Sequence, residues 1–145
     1  MRVLIVEDDP GMTEYIAEIL KQKGFQVFSA LNGFSGLEAV RTSTPHVVIL
    51  DIFMPEKDGL EMLVELRRFA SALPVLVISG KQHLLSGCSM ELARQLGADD
   101  VLSKPFSPKA LLERVTALAS QTRPERPRRE SHPKIPDPHG LPNAA

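Results

Sequence analysis

Positions 47–59 read VVILDIFMPEKDG: four apolar residues lead into an acidic residue and then into a segment that contains Pro and Gly. A short continuous apolar run that ends at turn residues is typical of a strand covered on both faces, as in parallel sheets. Ligands of open parallel sheets bind outside the carboxyl ends of the strands. The run therefore predicts a buried strand with Asp51 at the ligand-binding edge of a sheet.

Similar apolar runs are found on both sides of this one, centred on positions 3–6, 25–29, 75–78 and 101–102. Between the runs, apolar residues recur at steps of three and four, which is the period of a helix with one buried face. The clearest sets are Met12, Ile16, Ile19 and Leu20; Leu60, Leu63 and Val64; and Leu111, Val115 and Leu118. Gly24 and Gly97 are predicted helix ends. The alternation predicts an α/β fold with five strands in a doubly wound parallel sheet.

The chain divides into two parts by composition. The apolar period continues to about Ser120, and a chain of 145 residues suits one domain, so we predict a domain over 1–120. Six prolines lie among Arg, Ser, Asn and Gly in the remainder, which predicts a disordered Pro/Arg-rich tail over 121–145. No helix-turn-helix can be drawn after Ser120 and no aromatic residue accompanies the arginines, so direct DNA binding is not expected.

The location of the protein is predicted from what the sequence lacks. The longest apolar runs fall far short of the roughly 20 residues that a membrane-spanning helix needs. The first residues do not follow the pattern of a signal peptide. The single cysteine, Cys88, cannot form an internal disulfide. We therefore expect a cytoplasmic protein without a membrane partner.

Polar residues follow four of the apolar runs, at Glu7 and Asp8, at Asp51, at Ser79 and at Lys104. Carboxylates that share a crevice repel one another unless a cation lies between them. Hard oxygen ligands suit Mg²⁺, and a lysine beside them suits an anion. Carboxylates, a divalent cation, a hydroxyl and a lysine together are typical of phosphoryl transfer.

Four segments carry a resemblance to a known family. They are LIVEDD at 4–9, DIFMPEKDG at 51–59, ISG at 78–80 and GADDVLSKPF at 97–106. In this order, and at strand ends, they make the chain up to about Ser120 similar to the response-regulator receiver family. The resemblance implies a flavodoxin-like (βα)5 domain with strand order 2-1-3-4-5. The length leaves no room for an ordinary second domain, so we expect a stand-alone regulator.

The resemblance also implies roles for individual residues. Asp51 would accept a phosphoryl group from the phosphohistidine of a sensor histidine kinase or a histidine phosphotransfer protein. Asp8 and Asp51 would bind Mg²⁺ directly, the backbone carbonyl of Phe53 would be a third ligand, and Glu7 would act through water. The expected output is a conformational switch that signals to a downstream protein, and not turnover of a substrate.

Other positions complete or depart from the family pattern. Ser79 and Lys104 would contact phosphoryl oxygens, and a cis peptide would join Lys104 to Pro105. The residue three before the lysine is commonly aromatic and changes orientation on phosphorylation, but here it is Val101, so that switch is not expected. The stretch 81–90 is longer than the family pattern, which predicts a reshaped loop and fourth helix.

Two other functions fit parts of the pattern. A receiver-like interaction module that signals without phosphorylation is compatible with Val101. A small Mg²⁺-dependent phosphohydrolase could use Asp51 as nucleophile, but Phe53 stands where a second acid would be needed. Structural roles are predicted for Asp9 and Pro10 at a helix start, for 58–59 at a turn into the next helix, and for the four histidines as surface residues.

Overall fold

The computed structural model describes residues 1–52, 54, 59–80 and 89–121. Within these ranges, strands and helices alternate: β1 (Arg2–Val6), α1 (Pro10–Gln22), β2 (Gln26–Ala30), α2 (Gly33–Ser43), β3 (Val47–Asp51), α3 (Gly59–Phe69), β4 (Val75–Gly80), α4 (Ser89–Gln95), β5 (Asp100–Lys104) and α5 (Pro108–Ala119). The predictions for Phe53, the 81–88 loop, Asp58, Cys88, the tail from 122 onward, and His83, His132 and His139 lie outside the described residues.

The five strands form one parallel sheet in the order β2-β1-β3-β4-β5, which confirms the predicted fold. Strand order reverses at β1, because the chain first adds β2 on one side and then β3 on the other. Val6 of β1 pairs with Leu50 of β3, so the residues after them, Glu7 and Asp51, reach the same level of the sheet. The reversal therefore opens a crevice between the carboxyl ends of β1 and β3.

Helices cover both faces of the sheet, and this is why the central strands are continuously apolar. Alternate residues of β1 and β3 contribute to two buried clusters, one against α2, α3 and α4 and the other against α1 and α5. The first cluster contains Leu4, Val6, Val48 and Leu50, and the second contains Val3, Ile5, Val47 and Ile49. All eight side chains are completely buried.

The local signals at helix boundaries agree with the structure. Asp9 is the N-cap of α1, where its carboxylate accepts a hydrogen bond from the Gly11 N–H at 3.0 Å, and Pro10 is the first helical residue. Gly24 and Gly97 have φ values of +86° and +110° after α1 and α4, as expected of helix ends that need a left-handed residue. His46, the histidine within the described residues, is exposed as predicted.

The strands extend further toward the candidate site than their apolar cores indicated. β4 continues through Ser79 to Gly80 and β5 continues to Lys104, because the ladder pairs Ser79 with Ser103 and Gly80 with Lys104. Polar side chains of the site are thus held by regular strands. Across the described ranges, none of the helices combines the length and the apolar character that a bilayer crossing requires.

Candidate functional site

Three carboxylates meet at the carboxyl ends of β1 and β3. Glu7 and Asp8 follow β1 directly, and Asp51 is the last residue of β3. One carboxylate oxygen from each of the three lies within 4.8 Å of the other two. Glu7 is 1% exposed and Asp51 is 5% exposed, whereas Asp8 is half-buried. The crevice therefore concentrates negative charge in a place with little water.

Lys104 brings a positive charge into this cluster from the end of β5. Its ammonium nitrogen donates to Oε2 of Glu7 at 2.9 Å and to Oδ2 of Asp51 at 3.2 Å. The lysine side chain is 19% exposed. The cis peptide predicted between Lys104 and Pro105 is present. One ammonium thus bridges two nearly buried carboxylates that belong to different strands.

The surroundings shift the pKa values of Glu7 and Lys104. Burial is the main cause that raises the pKa of Glu7 from 4.5 to about 7; the hydrogen bond from Lys104 opposes the shift and the charge of Asp51 adds to it. Burial alone would lower the pKa of Lys104, but its hydrogen bond to Glu7 and the charge of Asp51 outweigh burial and raise it. The lysine therefore stays charged at neutral pH, while Glu7 titrates close to neutrality.

Ser79 lies on β4, next to the strand that carries Asp51. Asp51 pairs with Ile78 in the ladder, so Ser79 is one residue beyond the level of the acid. Its side chain is completely buried, and its hydroxyl oxygen has no hydrogen-bond partner within the described residues. A buried hydroxyl without a partner is costly, which is unusual away from functional sites. The position suits a hydroxyl that gains its acceptor from a bound group.

Gly59 allows α3 to begin directly against the end of β3. A Cβ at this position would collide with the carbonyl oxygen of Asp51 and would lie 2.6 Å from Cα of Ile52. The Gly59 N–H donates to the carbonyl of Ile52 at 3.3 Å. The sequence predicted a turn and a helix start here, but not this close packing against the backbone of Asp51.

The structure brings together most of the residues that the sequence selected. Glu7, Asp8, Asp51 and Lys104 form one cluster, and Ser79 follows on the adjacent strand. Phe53 lies outside the described residues. The hydrogen bond that the Asp9 N–H donates to Oε1 of Glu7, at 3.2 Å, was not predicted. Asp9 was recognised only by its position before a proline.

The donor set fits a magnesium ion. Three carboxylates with oxygens within 4.8 Å of one another provide hard ligands, and Lys104 neutralises only part of their charge. Mg²⁺ binds through one or two carboxylates and retains several waters, which suits a carboxylate that is only half-buried, as Asp8 is. The described residues that could hold the ion are Glu7, Asp8 and Asp51.

The sheet order and the acidic crevice at its reversal define a flavodoxin-like α/β domain with a candidate divalent-cation site at the strand ends. The family profile described as "Response regulator receiver domain" matches residues 3–116. The chain belongs to this family. It is therefore a signalling domain, the receiver domain of a response regulator, consistent with two-component signalling. Domains of this family bind Mg²⁺ at an acidic site and interact with histidine kinases or phosphotransfer proteins.

Curated relatives and solved structures agree with this assignment. The response regulator MprA of Mycobacterium avium is 35% identical over 125 residues, which cover 86% of this chain and 54% of the relative. Its counterpart in Mycobacterium leprae is 36% identical with the same coverage. This chain thus spans about half the length of the curated relatives it matches.

Two solved structures of receiver domains show the same fold. The receiver domain of NtrX from Brucella abortus superposes with a TM-score of 0.77 at 29% identity, covering 83% of this chain and 99% of that one. The receiver domain of the Francisella response regulator 1452 gives a TM-score of 0.75 at 29% identity, covering 84% and 98%. Both matches extend over nearly the whole of the compared domain.

Proposed function

We propose that this domain accepts a phosphoryl group on Asp51 from the phosphohistidine of a sensor histidine kinase or a histidine phosphotransfer protein. The observation that carries the proposal is the Lys104 ammonium, which lies within hydrogen-bond distance of both Glu7 and Asp51. A lysine held against the oxygen of a candidate nucleophile provides a fixed positive charge where an incoming phosphoryl group would carry negative charge.

Each side chain has a separate role in the proposed transfer. A carboxylate oxygen of Asp51 attacks phosphorus, the bond between phosphorus and the donor imidazole breaks, and the imidazole nitrogen retains the electron pair. Lys104 pairs with one phosphoryl oxygen, and the Ser79 hydroxyl donates to another. Asp8 and Asp51 would hold Mg²⁺ directly, with the Phe53 carbonyl as a further ligand and Glu7 acting through water. When bound there, the ion would supply positive charge that offsets the charge of the transferring group.

The proposed output is a change in conformation that a downstream protein detects. A phosphoryl group adds about two negative charges and gives the buried Ser79 hydroxyl an acceptor. Shifting a population from 1:99 to 99:1 takes about 5.5 kcal/mol of differential binding, which a few charge-assisted hydrogen bonds can provide. Val101 is buried beside Val77 on the neighbouring strand, so no aromatic ring reports the change at that position.

The absence of this ring favours one alternative, a receiver that signals without phosphorylation. Because the matched residues cover only 54% of the curated relative, the expectation that the domain acts alone stays a prediction. The downstream protein partner, the absence of DNA binding and the cytoplasmic location also stay predictions. Phosphorylation chemistry, in contrast, can be tested directly on the purified chain.

The test is the intact mass of the protein after incubation with Mg²⁺ and acetyl phosphate. Wild type should gain one phosphoryl group, and Asp51→Asn or added EDTA should prevent the gain. Asp100→Asn is the matched control, because Asp100 is also a strand residue but lies at the opposite end of β5, paired with Arg114. If Asp51→Asn gains a phosphoryl group, Asp51 is not the acceptor. If wild type gains none, the phosphorylation-independent alternative is favoured.

A further inference from the structure

The two oxygens of the Glu7 carboxylate have different hydrogen-bond donors. Oε1 accepts from the Asp9 backbone N–H at 3.2 Å, and Oε2 accepts from the Lys104 ammonium at 2.9 Å. The second contact is shorter than the 3.2 Å contact between Lys104 and Asp51. Glu7 is also the most buried acid of the cluster, at 1% exposed. Its carboxylate is therefore fixed on both sides within the protein.

Asp8, the next residue, is placed differently. Its side chain is half-buried, and within the described residues no group donates a hydrogen bond to its carboxylate. The two adjacent acids thus differ in their contacts, since Glu7 accepts hydrogen bonds from Asp9 and Lys104 and Asp8 is only half-buried. Glu7 already has a cation as its neighbour, the Lys104 ammonium.

We propose that Glu7 is a positioning residue for Lys104, which it holds against Asp51 before a phosphoryl group arrives. This inference rests on the proposed function of Asp51. A lysine side chain has many rotamers, and ordering it costs conformational entropy. If Glu7 orders that side chain in the free protein, the entropy is lost during folding and not during phosphoryl transfer. Glu7 then promotes transfer through Lys104, independently of any contact with the metal.

The first experiment examines the protein without metal. NMR relaxation of the ¹⁵N-labelled Lys104 ammonium in EDTA reports how tightly this group is ordered. We expect a high order parameter in wild type and a clearly lower one in Glu7→Gln. Glu14→Gln is the matched control, because Glu14 is an exposed glutamate on the adjacent helix α1. It should leave the Lys104 signal unchanged. An equally ordered ammonium in Glu7→Gln would overturn the proposal.

The second experiment measures the phosphorylation rate at saturating Mg²⁺. Glu7→Gln should remain slower than wild type by about tenfold, because added metal does not restore the position of the lysine. The Glu7→Gln/Lys104→Ala double variant should be no slower than Lys104→Ala, because Glu7 acts through Lys104. Losses that multiply in the double variant, or a wild-type rate for Glu7→Gln at saturation, would show that Glu7 acts only on the metal.

Failure of this inference is distinguishable from failure of the proposed function. If wild type and Glu14→Gln gain no phosphoryl group, Asp51 is not an acceptor and the proposed function fails first. If both are phosphorylated and only the two predictions for Glu7 fail, Asp51 keeps its role and Glu7 is reduced to a metal ligand.

Discussion

The Lys104 ammonium lies 3.2 Å from Oδ2 of Asp51, although 53 positions separate the two residues in the chain. They belong to β5 and β3, and β4 runs between these strands. The ladder places Gly80 of β4 next to Lys104. Side chains at 51, 80 and 104 point to the same face of the sheet by strand alternation. A glycine at 80 therefore leaves space for the lysine to cross β4 and reach the acid.

The stability of the metal-free protein should fall as pH rises from about 4.5 to about 7. The pKa of Glu7 is raised from 4.5 to about 7 in the folded protein, chiefly by burial. Between these values the folded state binds more protons than the unfolded state, so the contribution of Glu7 is full below pH 4.5 and is lost as pH passes 7.

Urea unfolding in EDTA across this pH range provides the measurement. The fall in the free energy of unfolding should be smaller in Glu7→Gln than in wild type by about 2 kcal/mol. Parallel curves for the two proteins would contradict the shifted pKa. Mg²⁺ should stabilise wild type most above pH 7, because metal binding requires ionised carboxylates.

Replacing Ser79 with alanine should stabilise the unphosphorylated protein. Its hydroxyl is completely buried and has no hydrogen-bond partner within the described residues, so its removal relieves a desolvation cost of about 1 kcal/mol. Urea unfolding should show the gain for Ser79→Ala. Ser103→Ala, at the half-buried ladder partner, should change stability by less than about 0.5 kcal/mol. A loss of stability in Ser79→Ala would mean that the hydroxyl is already satisfied in the resting state.

The location of the site could be predicted because parallel strands all present their carboxyl ends at one edge of the sheet. Asp51, Ser79 and Lys104 each follow or end an apolar run. Lys104 contacts Asp51, and the strand register places Ser79 one residue beyond the level of Asp51 on the adjacent strand. Polar residues at strand ends were therefore sufficient to select the cluster. The helices were predicted best where one face is strictly apolar, as in α1 and α5.

Contacts between particular side chains could not be predicted in this way. Glu7 and Lys104 are 97 positions apart, and the family pattern indicated a water-mediated metal contact for Glu7, not an ion pair with the lysine. Arg67 and Arg68 look equivalent in the sequence. The helix face that each occupies decides that Arg67 binds other segments of the chain and that Arg68 is exposed. Such contacts depend on distances that arise only after the sheet and helices have packed together.

Gly59→Ala should disturb both stability and phosphorylation. The added Cβ would meet backbone atoms of Asp51 and Ile52, which cannot move aside as a flexible side chain can. We expect a loss of about 2 kcal/mol in the free energy of unfolding, and slower phosphorylation because Asp51 is displaced.

Gly11→Ala on α1 is the matched control for this substitution. Its nearest neighbour would be Oδ1 of Asp9 at 3.4 Å, an ordinary contact, and alanine favours a helix by up to about 1 kcal/mol. Urea unfolding and the acetyl phosphate assay on the two variants give the comparison. A stable Gly59→Ala protein that is phosphorylated at the wild-type rate would show that α3 does not need this close approach.

Arg67 links three segments at the end of the sheet opposite the acidic crevice. Its guanidinium donates to the Gly97 carbonyl at 2.9 and 2.7 Å, to the Leu73 carbonyl at 2.6 Å and to the Asp99 carboxylate at 2.9 Å. The same Asp99 oxygen accepts from the Val75 N–H at 2.8 Å. The end of α3, the start of β4 and the turn before β5 are therefore held together by one side chain.

Arg67→Ala should consequently destabilise the protein without changing its chemistry. Removing the guanidinium takes an ion-pair partner from a carboxylate that is only 4% exposed, at a cost of about 3 kcal/mol in the free energy of unfolding. Arg68→Ala, at an exposed neighbour on the same helix, should cost less than about 0.5 kcal/mol. Well below the melting temperature, both variants should be phosphorylated at the wild-type rate, because the contacts of Arg67 lie at the amino ends of the strands. A slower rate in folded Arg67→Ala would reveal coupling between the two ends of the sheet.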